Sequence, residues 1–161
     1  MELWELVARE RIRDSIALYN WSGDAYRLED LTHAFAEDGV LEVRGEAPYE
    51  GRQAILGFLS GIRGSASGED ARAAMKAAAA ASGIKRIVRH NIANIRFLEL
   101  TPEQAKVSCY FTVFTEIGLD HYGRYRDTFA PVGEQWLIKH RFVSTDWRAD
   151  DSVMAAPSSV H

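Results

Sequence analysis

Two side chains in this sequence have the chemistry needed to move a proton, the carboxylate of Asp24 and the imidazole of His90. Asp24 lies at the junction of two amphipathic stretches, and His90 lies in a long run of β type. A carboxylate that holds one ring nitrogen of a histidine orients the ring as a general base. The chemistry therefore requires a fold that brings together two side chains far apart in sequence.

Each of these residues also has a simpler interpretation. Asp24 follows Ser22-Gly23, a helix-breaking pair, and can be the N-cap of a helix that starts near Ala25. His90 shares a strand face with Val88, Ile92 and Asn94, where a histidine is often a hydrogen-bonded core residue. The sequence alone leaves both interpretations open.

Helices are expected in the first part of the chain. Ile12, Ile16 and Tyr19 have helical spacing within residues 2–20, and residues 25–37 repeat the pattern through Leu28, Leu31 and Phe35. We expect a short strand at 40–44 and a third helix at 52–62. Residues 63–83 contain a Gly/Ser-rich stretch and an Ala-rich stretch, which predict either a solvated surface helix or a lid over a pocket.

From residue 84 the apolar period changes to two, which is typical of half-buried strands. The alternation predicts strands in 103–117, 119–129 and 135–146. In 103–117 and 119–129, odd positions are expected to face inward, which places His121 and Tyr125 beside apolar neighbours. In 135–146, we expect Trp136, Ile138 and Phe142 to share one face. Helices followed by an antiparallel meander predict an α+β fold, with helices packed on one face of a curved sheet.

Composition narrows the class of protein. A formal net charge of −4 gives no electrostatic reason to bind nucleic acid or an anionic membrane, and no apolar stretch is long enough to span a bilayer. Cys109 is the single cysteine, so no intramolecular disulfide forms, and we expect it to be a core residue.

The five histidines form no close metal-binding pair, and no cofactor motif is present, so we expect no metal and no cofactor. A cytoplasmic protein with a domain over 1–148 and a flexible tail over 149–161 is the expectation.

Several motifs over residues 5–148 follow one another in a fixed order and spacing. They are Ile16-x-x-Tyr19-x-x-x-x-Asp24, Leu31-x-x-x-Phe35-Ala-Glu-Asp-Gly39-Val40, Tyr49-x-Gly51-Arg52-x-Ala54-Ile55, Arg89-His90-x-x-x-Asn94, Gly123-Arg124-Tyr125-x-Asp127 and Trp136-x-Ile138-x-x-Arg141. Together these motifs resemble the SnoaL-like branch of the nuclear-transport-factor-two-like superfamily. The resemblance implies a cone-shaped α+β barrel, with N-terminal helices on a strongly curved, mainly antiparallel sheet.

Within that superfamily the pattern is most similar to the group of scytalone dehydratase, bile-acid dehydratase and hexachlorocyclohexane dehydrochlorinase. The resemblance implies a catalytic Asp24–His90 dyad, with Tyr19 at the tyrosine position of the bile-acid type. It implies a lyase that needs no cofactor and acts on a small hydrophobic, cyclic or aromatic compound. Side chains expected to bind that substrate are Tyr125, His121, Phe111, Asn94 and Phe129, with Val113 and Phe142 also lining the pocket.

Other functions remain open because one fold hosts many activities. The same base could serve an isomerase or cyclase, Asp24 could activate water in an epoxide hydrolase, and the domain could bind a ligand without catalysis. The uncovered face of the sheet predicts an oligomer, and the resemblance implies a homodimer or homotrimer. Trp21 and Trp147 are expected to be packing residues, and His33 and His140 ordinary helix and strand residues.

Overall fold

The computed structural model describes residues 1–61 and 87–152. The elements in these ranges are three helices and six strands. In chain order they are α1 (Leu3–Asp24), α2 (Leu28–Thr32), β1 (Phe35–Val43), β2 (Tyr49–Glu50), α3 (Gly51–Leu59), β3 (Arg89–Leu100), β4 (Ala105–Thr115), β5 (Gly118–Val132) and β6 (Gln135–Arg148).

The first helix is longer than its apolar spacing predicts. Its start is stabilised by the Glu2 N–H, which donates to the Glu5 carboxylate over 2.6 Å. Ser22-Gly23 does not break it, and α1 continues to Asp24. Its buried face consists of Ala8, Ile12, Ser15, Ile16, Tyr19, Asn20 and Ser22. The helix therefore presents both apolar and polar side chains to the interior.

The prediction that Asp24 caps a second helix near Ala25 is wrong. The N-cap of α2 is Arg27, and Tyr26 lies in the left-handed region at φ 56°. The Arg27 N–H donates to the Ser22 carbonyl over 2.8 Å, and the Tyr26 N–H donates to the Gly23 carbonyl over 2.9 Å. This is a Schellman turn with tyrosine at the position that glycine usually takes. It frees the Asp24 carboxylate from local capping.

The second predicted helix is also shorter than its amphipathic pattern suggests. It ends at Thr32 rather than 37, and Phe35, predicted to be helical, begins β1 instead. The reason is tertiary, since the Phe35 residue pairs with Ile138 on β6 and its carbonyl accepts two hydrogen bonds from Arg52, at 2.6 and 3.0 Å. Sheet pairing thus overrides a weak local helical preference.

The six strands form one sheet in the order β2-β1-β6-β5-β4-β3. The pairings from β3 to β6 are antiparallel, which confirms the meander, whereas β1 lies parallel to β6. Because α1 packs against both β3 and β6, the sheet must curl around the helix. The predicted α+β architecture is confirmed, with a sheet that is curled but not closed.

Two irregularities decide which side chains face the helix. In β3 the register shifts between Ala93 and Arg96, and Asn94 there adopts φ 52°. This bulge brings Ile95 to the inner face and leaves Asn94 exposed, so the predicted face of Asn94 is wrong.

A second register shift lies between Thr128 and Phe129, where β5 pairs with β6, and it puts Arg141 on the inner face. Phe142 is left opposite Arg126 on the outer face, separated from Ile138, contrary to prediction.

The inner face of β4 and β5 is the centre of the core. The predicted inward residues of β4 are all nearly inaccessible, and on β5 His121, Tyr125, Asp127 and Phe129 are buried as predicted, whereas Leu119 is exposed. The β4 set is Ala105, Val107, Cys109, Phe111 and Val113.

Two predictions fall wholly or partly outside the described residues. The segment 63–83, predicted as a surface helix or lid, lies outside them, as does most of the predicted tail. The first residues of that tail are held rather than loose. The Ala149 N–H donates to the Asp120 carbonyl over 2.7 Å, and the Ser152 hydroxyl donates to the Asp120 carboxylate over 2.6 Å. In the described part of the chain, no helix has the length and apolarity needed to cross a membrane.

Candidate functional site

Asp24 and His90 meet, although 66 positions separate them in sequence. The His90 Nδ1 lies 2.6 Å from Asp24 Oδ1, and the His90 backbone N–H donates to Asp24 Oδ2 over 2.9 Å. Both carboxylate oxygens are therefore engaged by one residue. The two side chains keep 18% and 14% exposure, so the pair is sheltered but reachable.

The elements that deliver the pair also shape its electrostatics. Asp24 is the last residue of α1 and His90 the second residue of β3. The C-terminal end of a helix has partial negative charge, which disfavours a carboxylate and favours a cation. The Asp24 carboxylate and the end of α1 would therefore both stabilise a positive charge formed on the His90 ring.

A cavity of about 250 Å³ opens beside the dyad. It lies between one face of α1 and the inner face of β3, and its lining is mainly apolar apart from the dyad, Asn20 and Arg13. The lining residues are Arg13, Ile16, Ala17, Asn20, Trp21, Asp24, His90, Ile92 and Ile95. Such a mixture, an apolar wall with few polar groups, suits a small hydrophobic ligand.

Asn20 is a polar residue of the site that the sequence patterns did not single out. Its amide nitrogen donates to the Ile16 carbonyl over 2.9 Å, and its amide oxygen accepts from the Tyr125 hydroxyl over 3.3 Å. The spacing Ile16, Asn20, Asp24 is a signal that could have found it, because residues four apart share a helix face. Through Asn20, Tyr125 is tied to the cavity wall without lining it.

Behind the cavity lies a buried charge pair. Arg141 donates from Nε and an Nη to the two carboxylate oxygens of Asp127, over 2.9 and 2.7 Å, and both side chains have 0% exposure. The guanidinium carbon contacts the rings of both Tyr19 and Tyr125, at 4.2 and 4.1 Å from their centroids. Although burial alone would lower it, Asp127 raises the pKa of Arg141, so this cation is permanent.

The two tyrosines beside Arg141 remain protonated. Burial raises the pKa of Tyr19, and it raises the pKa of Tyr125 further, with Arg141 partly opposing the shift in each. Tyr19 packs edge-on against Phe35 and Tyr125, and it is not among the residues that line the cavity. The structure thus brings Asp24 and His90 together but places Tyr19 behind them.

His121 forms a second aspartate–histidine pair. Its Nδ1 lies 2.6 Å from Asp120 Oδ1, which also accepts from the Ser152 hydroxyl, while the Thr115 hydroxyl donates to Asp120 Oδ2 over 3.1 Å. Burial would raise the pKa of Asp120, but these three hydrogen bonds outweigh it and lower the pKa. Burial lowers the pKa of His121, with Asp120 opposing and His90 adding to the shift. Sequence analysis singled out His121 but not its carboxylate.

The two histidines share one row of the sheet. His90 pairs with Val113 on β4, and Val113 pairs with His121 on β5. Strands lie about 4.8 Å apart, so the two backbones are separated by about 10 Å on the same inner face. Both rings therefore face the same interior, with Val113 between them.

The other predicted substrate-binding side chains do not line the cavity. Phe111 and Phe129 are core residues with 2% and 0% exposure, and Phe111 stacks on Tyr125 with ring centroids 4.7 Å apart. Asn94 is exposed at the β3 bulge. Trp21, expected to be a packing residue, is 74% exposed at the cavity wall, and Trp147 stacks on Tyr122 on the outer face.

Among residues 1–61 and 87–152, no three histidine, cysteine, aspartate or glutamate side chains converge in a way that could hold a metal ion.

Comparison with models of known protein families shows to which family the chain belongs. The model of the SnoaL-like domain matches residues 4–142. The protein belongs to the SnoaL-like family. No curated protein sequence matches this chain significantly.

Solved structures of the same fold agree with that assignment. The chain is similar to an NTF2-like protein with a cystatin-like fold from Novosphingobium aromaticivorans, with 26% identity, TM-score 0.67 and coverage of 94% of this chain and 88% of the other. It is similar to a candidate scytalone dehydratase from the same organism, with 24% identity, TM-score 0.67 and coverage of 99% and 96%. It also resembles LinA, with 13% identity, TM-score 0.67 and coverage of 95% and 97%. These similarities show that the chain shares the fold of these proteins.

Proposed function

We propose that this SnoaL-like protein is a cofactor-independent lyase, a dehydratase or related elimination enzyme. Its substrate would be a small hydrophobic compound, cyclic or aromatic, as in the breakdown of aromatic compounds. The observation that carries the proposal is the contact of His90 Nδ1 with Asp24 at 2.6 Å, at the wall of an apolar cavity. A non-catalytic binding module has no need for such a pair.

The geometry supports a specific division of roles. In the neutral imidazole, a proton on Nδ1 forms a hydrogen bond to Asp24, which leaves Nε2 unprotonated as the base. Nε2 removes a proton from a carbon next to an activating group, the electron pair of that C–H bond forms the new double bond, and the bond from the neighbouring carbon to the leaving group breaks. A departing hydroxyl takes the proton back from the imidazolium and leaves as water, which restores the neutral His90 ring. Asp24 orients the ring and stabilises the imidazolium.

Asn20 takes the part that the sequence resemblance gave to Tyr19. One N–H of its side-chain amide donates to the Ile16 carbonyl, and the other is available at the cavity wall. An amide donor placed there can polarise a carbonyl or stabilise the charge that forms on its oxygen.

Of the alternative functions, one fits the site less well and one has an observation in its favour. An epoxide hydrolase driven by Asp24 needs a carboxylate oxygen free to activate water, but both oxygens of Asp24 are engaged by His90. An isomerase has one specific observation in its favour, which is the second pair, Asp120–His121, on the same inner face. A second histidine could return the proton to another carbon.

We also propose that the protein is a homo-oligomer, a dimer or trimer, that covers the outer face of its sheet. Large aromatic side chains lie on that face with 40–50% exposure, namely Tyr110, Phe114, Tyr122 and Trp147. Light scattering after size exclusion should give a mass above that of one chain, and Tyr122→Lys should lower it. A monomeric mass for the unsubstituted protein contradicts this proposal.

The catalytic proposal is tested with His90→Ala and Asp24→Asn. The assay follows loss of water from a panel of cyclic and aryl β-hydroxy ketones by mass spectrometry in D2O. Loss of a positioned base should reduce turnover by about 10²- to 10⁴-fold. His140→Ala is the matched control, because His140 also contacts a carboxylate, Glu42 at 2.9 Å, but is distant from the cavity lining.

The outcomes separate the candidates. Near-normal turnover in either dyad variant refutes the dyad. Hydrolysis of an aryl epoxide added to the panel supports the hydrolase if it is lost in Asp24→Asn and retained in His90→Ala. A rearranged product with no loss of mass, and with deuterium incorporated from solvent, supports the isomerase.

A further inference from the structure

The cavity beside the dyad is elongated along α1. Its α1 residues are spaced three and four apart from Arg13 to Asp24, so they form one continuous face of the helix. Eleven residues of α-helix correspond to about 16 Å. The dyad lies at one end of this face and the Arg13 side chain at the other.

Among the described residues, those that line the middle of the cavity are apolar apart from Asn20. Ile16 and Ala17 on α1 face Ile92 and Ile95 on β3, and the Asn94 bulge is what brings Ile95 to that wall. An extended apolar body would therefore fill the space between the dyad and Arg13.

The far end is cationic. The guanidinium carbon of Arg13 lies 5.5 Å from the centroid of the Phe97 ring, and that of Arg9, one turn earlier, lies 4.3 Å from the same ring. The Arg9 Nε is buried and has no hydrogen-bond partner among the described residues. Two positive charges thus share one aromatic side chain on β3.

Arg13 is only weakly neutralised within the described chain. Its ion-pair partner there is Glu10, at 3.8 Å, and the Glu10 side chain is 81% exposed. Such a pair contributes little because water screens it. A guanidinium beside an aromatic ring keeps the N–H groups in its own plane free, which suits bidentate binding of a carboxylate.

We propose that Arg13, supported by Arg9, binds a carboxylate of the substrate at the end of the cavity opposite the dyad. The substrate class is then an elongated amphiphilic acid, with an apolar body between its reacting carbon and its carboxylate. This inference rests on the proposed function for the reacting end, whereas the anion site itself does not depend on catalysis.

The test measures binding rather than turnover. Isothermal titration calorimetry measures the affinity of three acids that carry a terminal phenyl group, namely phenylbutanoate, phenylhexanoate and phenyloctanoate. Each acid is compared with its own primary amide. The amides keep the shape and lose the charge. We expect the carboxylates that are long enough to reach Arg13 to bind about 5- to 10-fold tighter than their amides, as a charge-assisted hydrogen bond at a partly exposed site allows.

Matched variants on the same helix assign the effect. Arg13→Gln should abolish the preference for the carboxylate while leaving amide binding unchanged, and Arg9→Gln should reduce it. Arg11→Gln removes the same charge from α1 at an exposed position that does not line the cavity, and should change neither. Equal affinity for acids and amides in the unsubstituted protein, or equal effects of Arg11→Gln and Arg13→Gln, overturns the inference.

His90→Gln separates this inference from the proposed function. It removes the proposed base, and the preference for carboxylates should remain. If turnover proves independent of His90 while Arg13→Gln still removes that preference, the lyase proposal fails and the anion site stands. If turnover requires His90 but the carboxylate preference is absent, only the anion site fails.

Discussion

Removal of the Asp127 charge should destabilise the protein severely. Asp127→Asn leaves the Arg141 guanidinium buried without its counter-ion, since both side chains have 0% exposure and are joined by hydrogen bonds of 2.9 and 2.7 Å. The attraction between the charges offsets the cost of desolvating Arg141, and the substitution removes that attraction but not the cost. Breaking such a pair costs about 3–5 kcal/mol.

The chain supplies a matched control on the same two strands. Arg124 of β5 and Asp146 of β6 form a second two-pronged pair, with hydrogen bonds of 3.0 and 3.1 Å, on the outer face. Their side chains are 38% and 30% exposed, so water replaces much of what is lost. Asp146→Asn should therefore cost less than about 1 kcal/mol.

Urea unfolding followed by circular dichroism gives both free energies of unfolding. A loss of 3–5 kcal/mol is a large fraction of the roughly 5–15 kcal/mol that stabilises a typical domain, so the Asp127→Asn midpoint should fall far below that of Asp146→Asn. The slope with urea should stay unchanged if both variants remain two-state. Equal losses in the two variants would refute the argument that burial, rather than geometry, sets the energy of these pairs.

Three further predictions concern the same core. Gly123→Ala should destabilise by at least about 1–3 kcal/mol by urea unfolding, because a Cβ there would lie 2.0 Å from the Ser144 carbonyl oxygen; Gly57→Ala, with open space at Cβ, is the control. Burial holds the pKa of His121 below its ordinary value of 6.5, so the unfolded state binds more protons than the folded state. The free energy of unfolding should therefore fall as the pH falls from about 7 to about 5, and His121→Asn should flatten that slope. Burial raises the pKa of Cys109 to about 12, so a thiol reagent at mildly alkaline pH should react only after unfolding; rapid labelling of the folded protein contradicts this.

The spacing of apolar residues predicted much of the fold, because buried positions recur every second residue in a strand and every three or four residues in a helix. The inward set of β4 follows directly from its period of two, as does most of β5. The predicted faces of the strands are wrong where the alternation of inward and outward residues is interrupted. The bulge at Asn94 and the register shift before Phe129 each insert a step that reverses the two faces, and neither has a glycine or proline to announce it.

The candidate site was predictable only in part. The residue types and the resemblance selected Asp24 and His90, and the structure places them in contact. Tyr19 was selected on the same basis, but the helical rotation of 100° per residue turns it towards Arg141 and turns Asn20 towards the cavity. Arg13 and Ile95 gave no signal, because their importance depends on what lies opposite them.

The sequence by itself determined the helix-then-strand order, the inner face of β4 and most of that of β5, and it supplied two residues of the types needed for proton transfer. These depend on local spacing, which is written along the chain. Tertiary structure alone decided that Asp24 ends a helix rather than starting one, and that its two oxygens bind His90. It also decided that a second pair, Asp120–His121, faces the same interior. The physical reason is that curling of the sheet around α1 sets distances between residues far apart in sequence, and no local pattern encodes that curl.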